Sequence, residues 1–198
     1  MRVAGVGDRG RLIYVVGASG AGKDSVLRWV RQRHPPGVAF AHRYITRPAE
    51  PGGENHVALS NGEFATRLAA GSFALWWEAN GLRYGIGREI ELWRGAGLDV
   101  VVNGSRAHLA AALTTQPDLL PVLISAPAGH IADRLARRGR EDAAGQSRRM
   151  ERNASLSATS APGMVVIDNG GELSDAGQAL LAVLARGEGD ARHAAGHG

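Results

Sequence analysis

The sequence predicts an α/β fold of three layers, in which helices cover both faces of a mostly parallel sheet. Three observations support this prediction. Short apolar runs alternate with amphipathic segments along most of the 198 residues, which is the pattern of repeated strand and helix units. A glycine-rich loop joins the first apolar run to the first amphipathic segment. The alternation lapses over residues 38–90, which indicates a small insertion within the domain.

The first strand and the first helix flank the glycine-rich loop. The run RLIYVVG (11–17) is apolar and ends in glycine, as expected of a buried parallel strand. The segment DSVLRWVRQRH (24–34) is amphipathic and is followed by a Pro-Pro pair that ends a helix. Val26, Leu27 and Val30 fall on one face of that helix.

The insertion at residues 38–90 is polar, is rich in Gly and Pro, and contains several Arg, Tyr and His side chains. Such a composition is expected of a segment that binds a substrate. Within it we predict a helix near 62–70, and a second helix near 87–95 follows.

The alternation then resumes and closes the domain. Predicted strands cover 98–103, 119–126 and 163–168, and predicted helices cover 105–115, 127–137 and 172–186. A charged, glycine-interrupted segment at 137–149 leads into a helix that ends near residue 157. We expect a single domain over 11–186, with flexible segments at 1–10 and 187–198.

Composition narrows the class of protein. No apolar run approaches the roughly 20 residues of a membrane span, and the N-terminus lacks a signal-peptide pattern. The absence of Cys from the sequence excludes disulfides, thiolate metal sites and a Cys nucleophile. A cytoplasmic protein is expected, with no membrane partner. Oligomeric state is not predicted.

The net charge of +4 is compatible with nucleic acid or with small phosphorylated molecules. The arginines are spread along the chain apart from a cluster at 134–152, and few aromatic residues lie beside them. We therefore expect small phosphorylated ligands and no nucleic-acid partner. The cluster itself is either functional or a solvated helix face.

The loop GASGAGKDS nearly matches the phosphate-binding pattern G-x-x-x-x-G-K-[ST]. Asp24 stands where the pattern requires Ser or Thr, and Ser25 follows one position late. Lys23 is the only Lys among 23 basic residues, and it lies where such a loop needs a compact ammonium group. We predict that the loop binds the phosphates of a nucleotide. Its residues are Gly17, Ala18, Ser19, Gly20, Ala21, Gly22, Lys23, Asp24 and Ser25.

Over about residues 11–186, the order of these segments resembles guanylate kinase and its relatives. ITRPAEPGGE (45–54) is similar to the family's T-T-R-x-x-R-x-G-E segment and is one residue longer. GLRYG (81–85) is similar to G-N-x-Y-G, and RGRE…RRM (138–150) is similar to the lid. The resemblance implies a P-loop nucleoside-monophosphate-kinase-like fold, with residues 38–90 binding substrate and 137–149 forming the lid.

The details resemble a sister branch, the ribose 1,5-bisphosphate phosphokinases of bacterial phosphonate catabolism. The matching stretches are GKDS, HRYITR, GENHVALS, ANGLRYG and VVNGSRAHL. This resemblance implies transfer of the ATP γ-phosphoryl group to ribose 1,5-bisphosphate, giving 5-phosphoribosyl 1-diphosphate. In guanylate kinases a Glu six residues before the G-N-x-Y-G glycine accepts hydrogen bonds from guanine, and here that position is Leu75. Each buried guanine N–H left unpaired would cost about 1–3 kcal/mol.

The resemblance also implies the roles of individual residues. Lys23 would hold the β- and γ-phosphates, and the lid arginines Arg138 and Arg149, with Arg134 or Arg140 as further candidates, would close over the transferring group. The expected substrate contacts are Tyr44, Arg47, Glu54, Asn55, His56, Tyr84 and Asn103. Asn103 is alternatively a cap of helix 105–115.

Magnesium is the expected metal, bound together with ATP. The strand position that carries an Asp in guanylate kinase aligns with Val101, and Asp99 lies farther down the same face. We therefore hypothesise that Asp24 supplies the missing charge and holds Mg²⁺, directly or through water, with Ser25 as a possible helper. The alternative is that Asp24 only stabilises the first turn of its helix, by roughly 0.3–1 kcal/mol.

Two other functions compete with this one. An ordinary nucleoside monophosphate kinase is disfavoured by Leu75, which offers no hydrogen-bond acceptor to guanine. A non-catalytic guanylate-kinase-like binding module is disfavoured by the loop from Gly17 to Lys23, because a pure binder has no need of a lysine for the γ-phosphate.

Overall fold

The computed structural model describes residues 9–48, 56–138 and 160–194. The strands are β1 (Leu12–Gly17), β2 (Val38–Phe40), β3 (Arg43–Ile45), β4 (His56–Ala58), β5 (Phe73–Ala79), β6 (Leu82–Gly87), β7 (Asp99–Asn103), β8 (Leu120–Ser125) and β9 (Val165–Asp168). The helices are α1 (Lys23–Arg31), α2 (Asn61–Ala69), α3 (Glu89–Gly95), α4 (Leu109–Thr115), α5 (Ala128–Arg138) and α6 (Leu173–Ala194). The predicted α/β class is confirmed. Outside residues 38–90, the predicted strands and helices that fall in the described ranges occur in the expected order.

The main sheet has the order β2-β7-β1-β8-β9, and all of its pairings are parallel. Alternate residues of β1 face opposite layers, because side chains of a strand alternate between the two sides. Ile13 and Val15 pack in the cluster that holds α1 and α6. Tyr14 and Val16 pack in a second cluster, with residues of α3, α4 and the small sheet. The three-layer prediction is therefore confirmed.

The segment at 38–90 contains a second sheet, which the sequence analysis did not predict. Its order is β4-β3-β6-β5, with β3 parallel to β4 and antiparallel to β6. The β5–β6 hairpin turns at Asn80 and Gly81, whose φ angles are 53° and 72°. Two positive φ angles suit the tight turn of a two-residue hairpin. Strand β2, from the same segment, instead forms the edge of the main sheet.

The ends of the domain differ from the expectation. Gly10 is buried and bonded to Arg94 in both directions, by its N–H at 2.9 Å and by its carbonyl at 2.8 Å. Gly10, the last residue of the segment expected to be flexible, is thus bonded to the domain. Helix α6 continues to Ala194, past its predicted end at 186. In this segment Ala, Glu and Arg favour helix, Gly187 and Gly189 oppose it, and no proline interrupts it.

The predicted lid and the helix that was expected to end near 157 lie outside the described residues, except for the last two residues of α5. In the described part of the chain, no helix is both long enough and apolar enough to span a membrane.

Candidate active site

A cleft of about 460 Å³ opens at the carboxyl ends of β1 and β7, between the glycine-rich loop and the small sheet. This is the edge of a parallel sheet at which α/β proteins bind ligands. The loop contributes Gly17, Ala18, Ser19, Gly20, Gly22, Lys23 and Asp24 to the lining. The other side is lined by Arg43, Trp77, Glu78, Ala79, Asn80, Tyr84, Gly104, Ser105, Arg106 and Ala107. Of the predicted loop residues, Ala21 and Ser25 do not line the cleft.

The loop conformation requires glycine at its end. Gly22 caps α1 with a φ of 87°, in the left-handed region that favours glycine. A Cβ atom at this position would lie 2.2 Å from Nδ2 of Asn169. Since α1 begins immediately afterwards, Lys23 and Asp24 lie in its first turn and face the cleft.

Asn169 and Arg134 hold the loop through hydrogen bonds to its backbone. The Asn169 side chain, whose residue is 2% exposed, donates a 2.6 Å hydrogen bond to the carbonyl of Ala21. Arg134 donates to the same carbonyl at 3.4 Å and to the carbonyl of Asn169 at 3.0 Å. Arg134 was expected as a further lid candidate, and its described contacts are with the loop and its support. Asn169 was missed, although it directly follows β9 at the carboxyl edge of the sheet, where Asn103 was singled out.

Lys23, Asp24 and Asn103 form a connected network at the mouth of the loop. The Lys23 ammonium donates to Oδ1 of Asp24 at 3.0 Å and also to Oδ1 of Asn103. Nδ2 of Asn103 donates to Oδ1 of Asp24 at 3.0 Å. The alternative role of Asn103 as a helix cap is wrong, because α4 begins at Leu109 and its N-cap residue is His108.

The network keeps Asp24 ionised. The neighbouring Lys23 ammonium holds the pKa of the Asp24 carboxyl well below its usual range, and Arg43 and the hydrogen bond from Asn103 act in the same direction. The Asp24 side chain is 46% exposed, so its carboxylate is accessible from the cleft. An ionised and accessible carboxylate of this kind can bind a cation or accept hydrogen bonds from a ligand.

Strand β7 offers no carboxylate to the cleft. Asp99 accepts hydrogen bonds from the backbone N–H of Arg11 at 2.7 Å and from its Nε at 2.9 Å. Val101 is buried in the core. Among the described residues, the acidic side chains that line the cleft are Asp24 and Glu78. Glu78 pairs with Arg83 at 3.0 Å.

An aromatic column forms the wall opposite the loop. The rings of Trp77 and Tyr84 stack with centroids 5.4 Å apart and planes 3° apart, and His108 lies on Trp77, also at 5.4 Å. The guanidinium carbon of Arg43 lies 5.3 Å from the centroid of Tyr84. The adjacent Trp76 is exposed and faces the other side of β5, as strand alternation requires. Together these contacts hold a cationic side chain at the cleft.

Arg43 lies at the cleft, where the sequence analysis expected its neighbour Tyr44. Tyr84 lines the cleft as expected, but Tyr44 packs on Phe73, with centroids 5.7 Å apart, and donates a 3.4 Å hydrogen bond to Glu89. The expected position of Tyr44 at the cleft is therefore wrong. Successive residues of β3 face opposite sides, and Arg43 is the one that faces the cleft. Arg43 lies two positions before the apolar Ile45 and therefore on the same face of β3. This spacing was the signal in the sequence that could have identified Arg43.

Among the described residues, the predicted substrate contacts Arg47 and His56 are not brought to the cleft. Nε2 of His56 lies 3.1 Å from the carbonyl of Arg47, and neither residue lines the cleft. His56 lies on β4, the edge strand of the small sheet, where it pairs with Arg43 of the neighbouring strand β3. Its place on the edge strand explains why it is away from the cleft.

Other predicted residues fall outside the described part of the chain. These are Glu54, Asn55, Arg140 and Arg149. Arg138 is the last residue of α5, and its side chain is also outside the description.

Leu75, the residue at the expected base-reading position, lies on the same face of β5 as Trp77 and is 2% exposed. It packs in the core cluster with Ile45 and Ile86. An aliphatic side chain at this position supplies no acceptor for the edge of a purine.

Comparison with known proteins gives two kinds of match. The chain is 54% identical to the ribose 1,5-bisphosphate phosphokinase of Desulfomicrobium baculatum over 177 residues, which are 88% of this chain and 94% of the relative. It is 53% identical to the protein of the same name from Chromobacterium violaceum over 178 residues, covering 90% and 95% of the two chains. No protein-family model matches the chain.

The fold matches a solved guanylate kinase from Anaplasma phagocytophilum with a TM-score of 0.67 and 16% identity, over 92% of this chain and 87% of that one. At this identity the match concerns the fold alone. The guanylate-kinase-like architecture predicted from the sequence is confirmed.

Proposed function

The chain belongs to the ribose 1,5-bisphosphate phosphokinase family, and we propose that it transfers the γ-phosphoryl group of ATP to ribose 1,5-bisphosphate. The products are ADP and 5-phosphoribosyl 1-diphosphate. The observation that supports this most directly is the position of Lys23, the chain's single lysine. Its ammonium lies at the end of a glycine loop, faces the cleft, and bonds with both Asp24 and Asn103.

The reaction needs positioning and charge more than acid–base chemistry. An oxygen of the acceptor's 1-phosphate attacks the γ-phosphorus of ATP and forms the new P–O bond. The bond from that phosphorus to the β–γ bridging oxygen breaks, and its electron pair leaves with ADP. Because the second pKa of a phosphate monoester is about 6, the attacking oxygen is already anionic at neutral pH and no general base is required.

The loop would hold the nucleotide. Its backbone amides and the N-terminus of α1 provide hydrogen-bond donors and a positive dipole end for phosphate oxygens. Lys23 would contact the β- and γ-phosphates, where its charge stabilises the transferring group. Asn103 and Asp24 hold the ammonium in place before substrate arrives, and Asn169 holds the loop.

The residues present fit a magnesium ion that arrives with ATP. Mg²⁺ in kinases is bound by one or two carboxylates together with substrate phosphates, and Asp24 offers an ionised, accessible carboxylate beside the loop. In the described ranges, no cluster of three or more His, Asp or Glu side chains could hold a metal without such phosphates. Bound there, Mg²⁺ would neutralise charge on the β- and γ-phosphates. We propose Asp24 as its protein ligand, directly or through water.

The acceptor is proposed to be a sugar phosphate rather than GMP, because Leu75 offers guanine no hydrogen-bond acceptor. The predicted lid arginines, Arg138 and Arg149, are proposed to close over the transferring group. A non-catalytic module remains disfavoured, since the loop keeps its lysine and a network that orients it.

Initial rates of ADP formation with a panel of acceptors test this function. The purified chain is supplied with MgATP and, in turn, ribose 1,5-bisphosphate, GMP and ribose 5-phosphate, with the Lys23→Ala variant as the blank. The bisphosphate is expected to give the highest kcat/KM. A higher value with GMP would restore the nucleotide-kinase alternative.

A further inference from the structure

Arg43 is held at the cleft by the aromatic column. Its guanidinium carbon lies 5.3 Å from the Tyr84 centroid, and Tyr84 is in turn stacked on Trp77 at 5.4 Å. An arginine over an aromatic face is attracted by the negative face of the ring. Because the rings beneath it are packed, this contact favours one position of the guanidinium in the absence of ligand, which reduces the side-chain entropy lost on binding.

The position of Arg43 places its charge close to the transfer point. It lines the same cleft as Lys23 and Asp24. Arg43 comes from β3 of the small sheet, whereas Lys23 comes from the loop after β1. The two cations therefore approach the cleft from its two sides.

The proposed reaction joins two anions, the acceptor's 1-phosphate and the γ-phosphate, and their mutual repulsion opposes the attack. The Lys23 ammonium is committed to the loop side, where Asp24 and Asn103 hold it. A second cation on the acceptor side reduces this repulsion. An arginine fork suits that role, because it binds phosphate oxygens in a bidentate manner with fixed geometry.

We propose that Arg43 binds the reacting 1-phosphate of the acceptor and aligns it with the γ-phosphate of ATP. This inference rests on the proposed function. It assigns substrate recognition to a residue on the cleft face of β3, in place of the Tyr44 expected from the sequence.

The pair of Arg67 and Tyr44 provides a matched control for the pair of Arg43 and Tyr84. Arg67 lies over the ring of Tyr44 at 5.2 Å, nearly the same distance at which Arg43 lies over Tyr84. Tyr44 faces away from the cleft, and Arg67 does not line it. Replacing each arginine in turn therefore removes a similar stacking contact, and only one of the two changes the cleft.

The experiment compares wild type with Arg43→Gln, Arg43→Lys and Arg67→Gln. For each protein it measures the KM for ribose 1,5-bisphosphate and the KM for ATP. It also measures the inhibition constant of ribose 5-phosphate, which lacks the 1-phosphate. For Arg43→Gln we expect the KM for the bisphosphate to rise by roughly 10- to 100-fold. Its KM for ATP and its inhibition by ribose 5-phosphate should stay within about twofold of wild type. Arg43→Lys should recover part of the loss, and Arg67→Gln should behave as wild type.

Several results would overturn the assignment. Equal KM values for the bisphosphate in Arg43→Gln and Arg67→Gln would remove Arg43 from the site. A parallel rise in the KM for ATP would make it a support of the loop, and weaker inhibition by ribose 5-phosphate would move it to the 5-phosphate. If Arg43→Gln does not fold, Arg43→Met, which keeps the apolar stem, replaces it under the same criteria. A wild-type enzyme that does not use the bisphosphate would refute the proposed function itself, whatever the variants show.

Discussion

Oδ1 of Asp24 accepts two hydrogen bonds of 3.0 Å, one from the Lys23 ammonium and one from Nδ2 of Asn103. Since Asn103 is the last residue of β7 and Asp24 lies in the first turn of α1, this oxygen links the loop to the neighbouring strand. The ammonium is thus oriented by two partners on different elements. Preorganised charge of this kind is what stabilises a phosphoryl-transfer transition state.

Lys23→Ala should abolish phosphoryl transfer, because it removes the positive charge that stabilises the γ-phosphate in the transition state. The fold should stay intact, since the ammonium faces the cleft. Lys23→Arg should also be poor, since a planar guanidinium does not fit the site of a compact point charge. Steady-state rates and circular dichroism check both variants. Near-normal turnover in either one would remove the loop from the mechanism.

Asp24→Asn keeps the shape of the side chain and removes its charge. We expect the Mg²⁺ concentration for half-maximal activity to rise severalfold or more, with little change in the melting temperature of the ligand-free chain. A titration of activity against Mg²⁺ at fixed ATP measures this. An unchanged Mg²⁺ requirement together with a lower melting temperature would leave Asp24 as a helix-stabilising residue.

Asp24 should add no pH dependence to this effect near neutral pH. The Asp24 pKa in the folded chain lies below its ordinary value of 3.8, so its ionised form is fully present above that value and is lost only as the pH falls below it. The ratio of wild-type to Asp24→Asn activity should therefore be constant between about pH 6 and 8. A ratio that changes in this range would show that Asp24 is not ionised throughout it.

Asn169→Ala should weaken nucleotide binding, because it removes the 2.6 Å bond to the Ala21 carbonyl that fixes the loop. The loss of one neutral hydrogen bond of this kind is worth about 1 kcal/mol, which corresponds to a severalfold rise in the Kd for ATP. Titration calorimetry measures it, and Glu172→Gln on the exposed surface serves as control. Equal affinities in the two variants would mean that the loop holds its shape without Asn169.

Arg94→Met should lower stability without changing kcat per folded molecule. Arg94 is 1% exposed, donates to the Gly10 carbonyl at 2.8 Å and pairs with Asp118, at the end of the sheet away from the cleft. Leaving such groups unpaired costs roughly 1–3 kcal/mol. Thermal unfolding tests this against Arg88→Met, whose arginine is exposed at the start of the same helix. Equal melting temperatures would contradict the structural role of Arg94.

The parallel sheet and the loop were predictable because each depends on a local pattern. Apolar runs such as 11–17 mark buried strands, and the glycines with Lys23 mark the turn between strand and helix. The small sheet was not predictable in this way. Its strands β3 and β4 have three residues each, and they are fixed by pairing with β6 and with each other, which no local period encodes.

The loop side of the cleft was predictable from the sequence, and the side formed by the small sheet was less so. Tyr84 lines the cleft and Asn103 bonds to Lys23 beside it. The sequence singled out both, because Tyr84 belongs to a recognisable segment and Asn103 ends a strand. Arg43 was missed because its role depends on which face of β3 points to the cleft, and Asn169 because its partner, Ala21, lies 148 positions away along the chain.

The central claim is that this chain phosphorylates the 1-phosphate of ribose 1,5-bisphosphate. It is tested most directly by incubating the wild-type chain with Mg²⁺, equal concentrations of the bisphosphate and GMP, and ATP labelled at the γ-phosphate, and then locating the label in the products. We predict that the label appears in the terminal phosphate of 5-phosphoribosyl 1-diphosphate, at a rate that Lys23→Ala eliminates. Label found only in inorganic phosphate, or transferred to GMP in preference to the bisphosphate, would contradict the account.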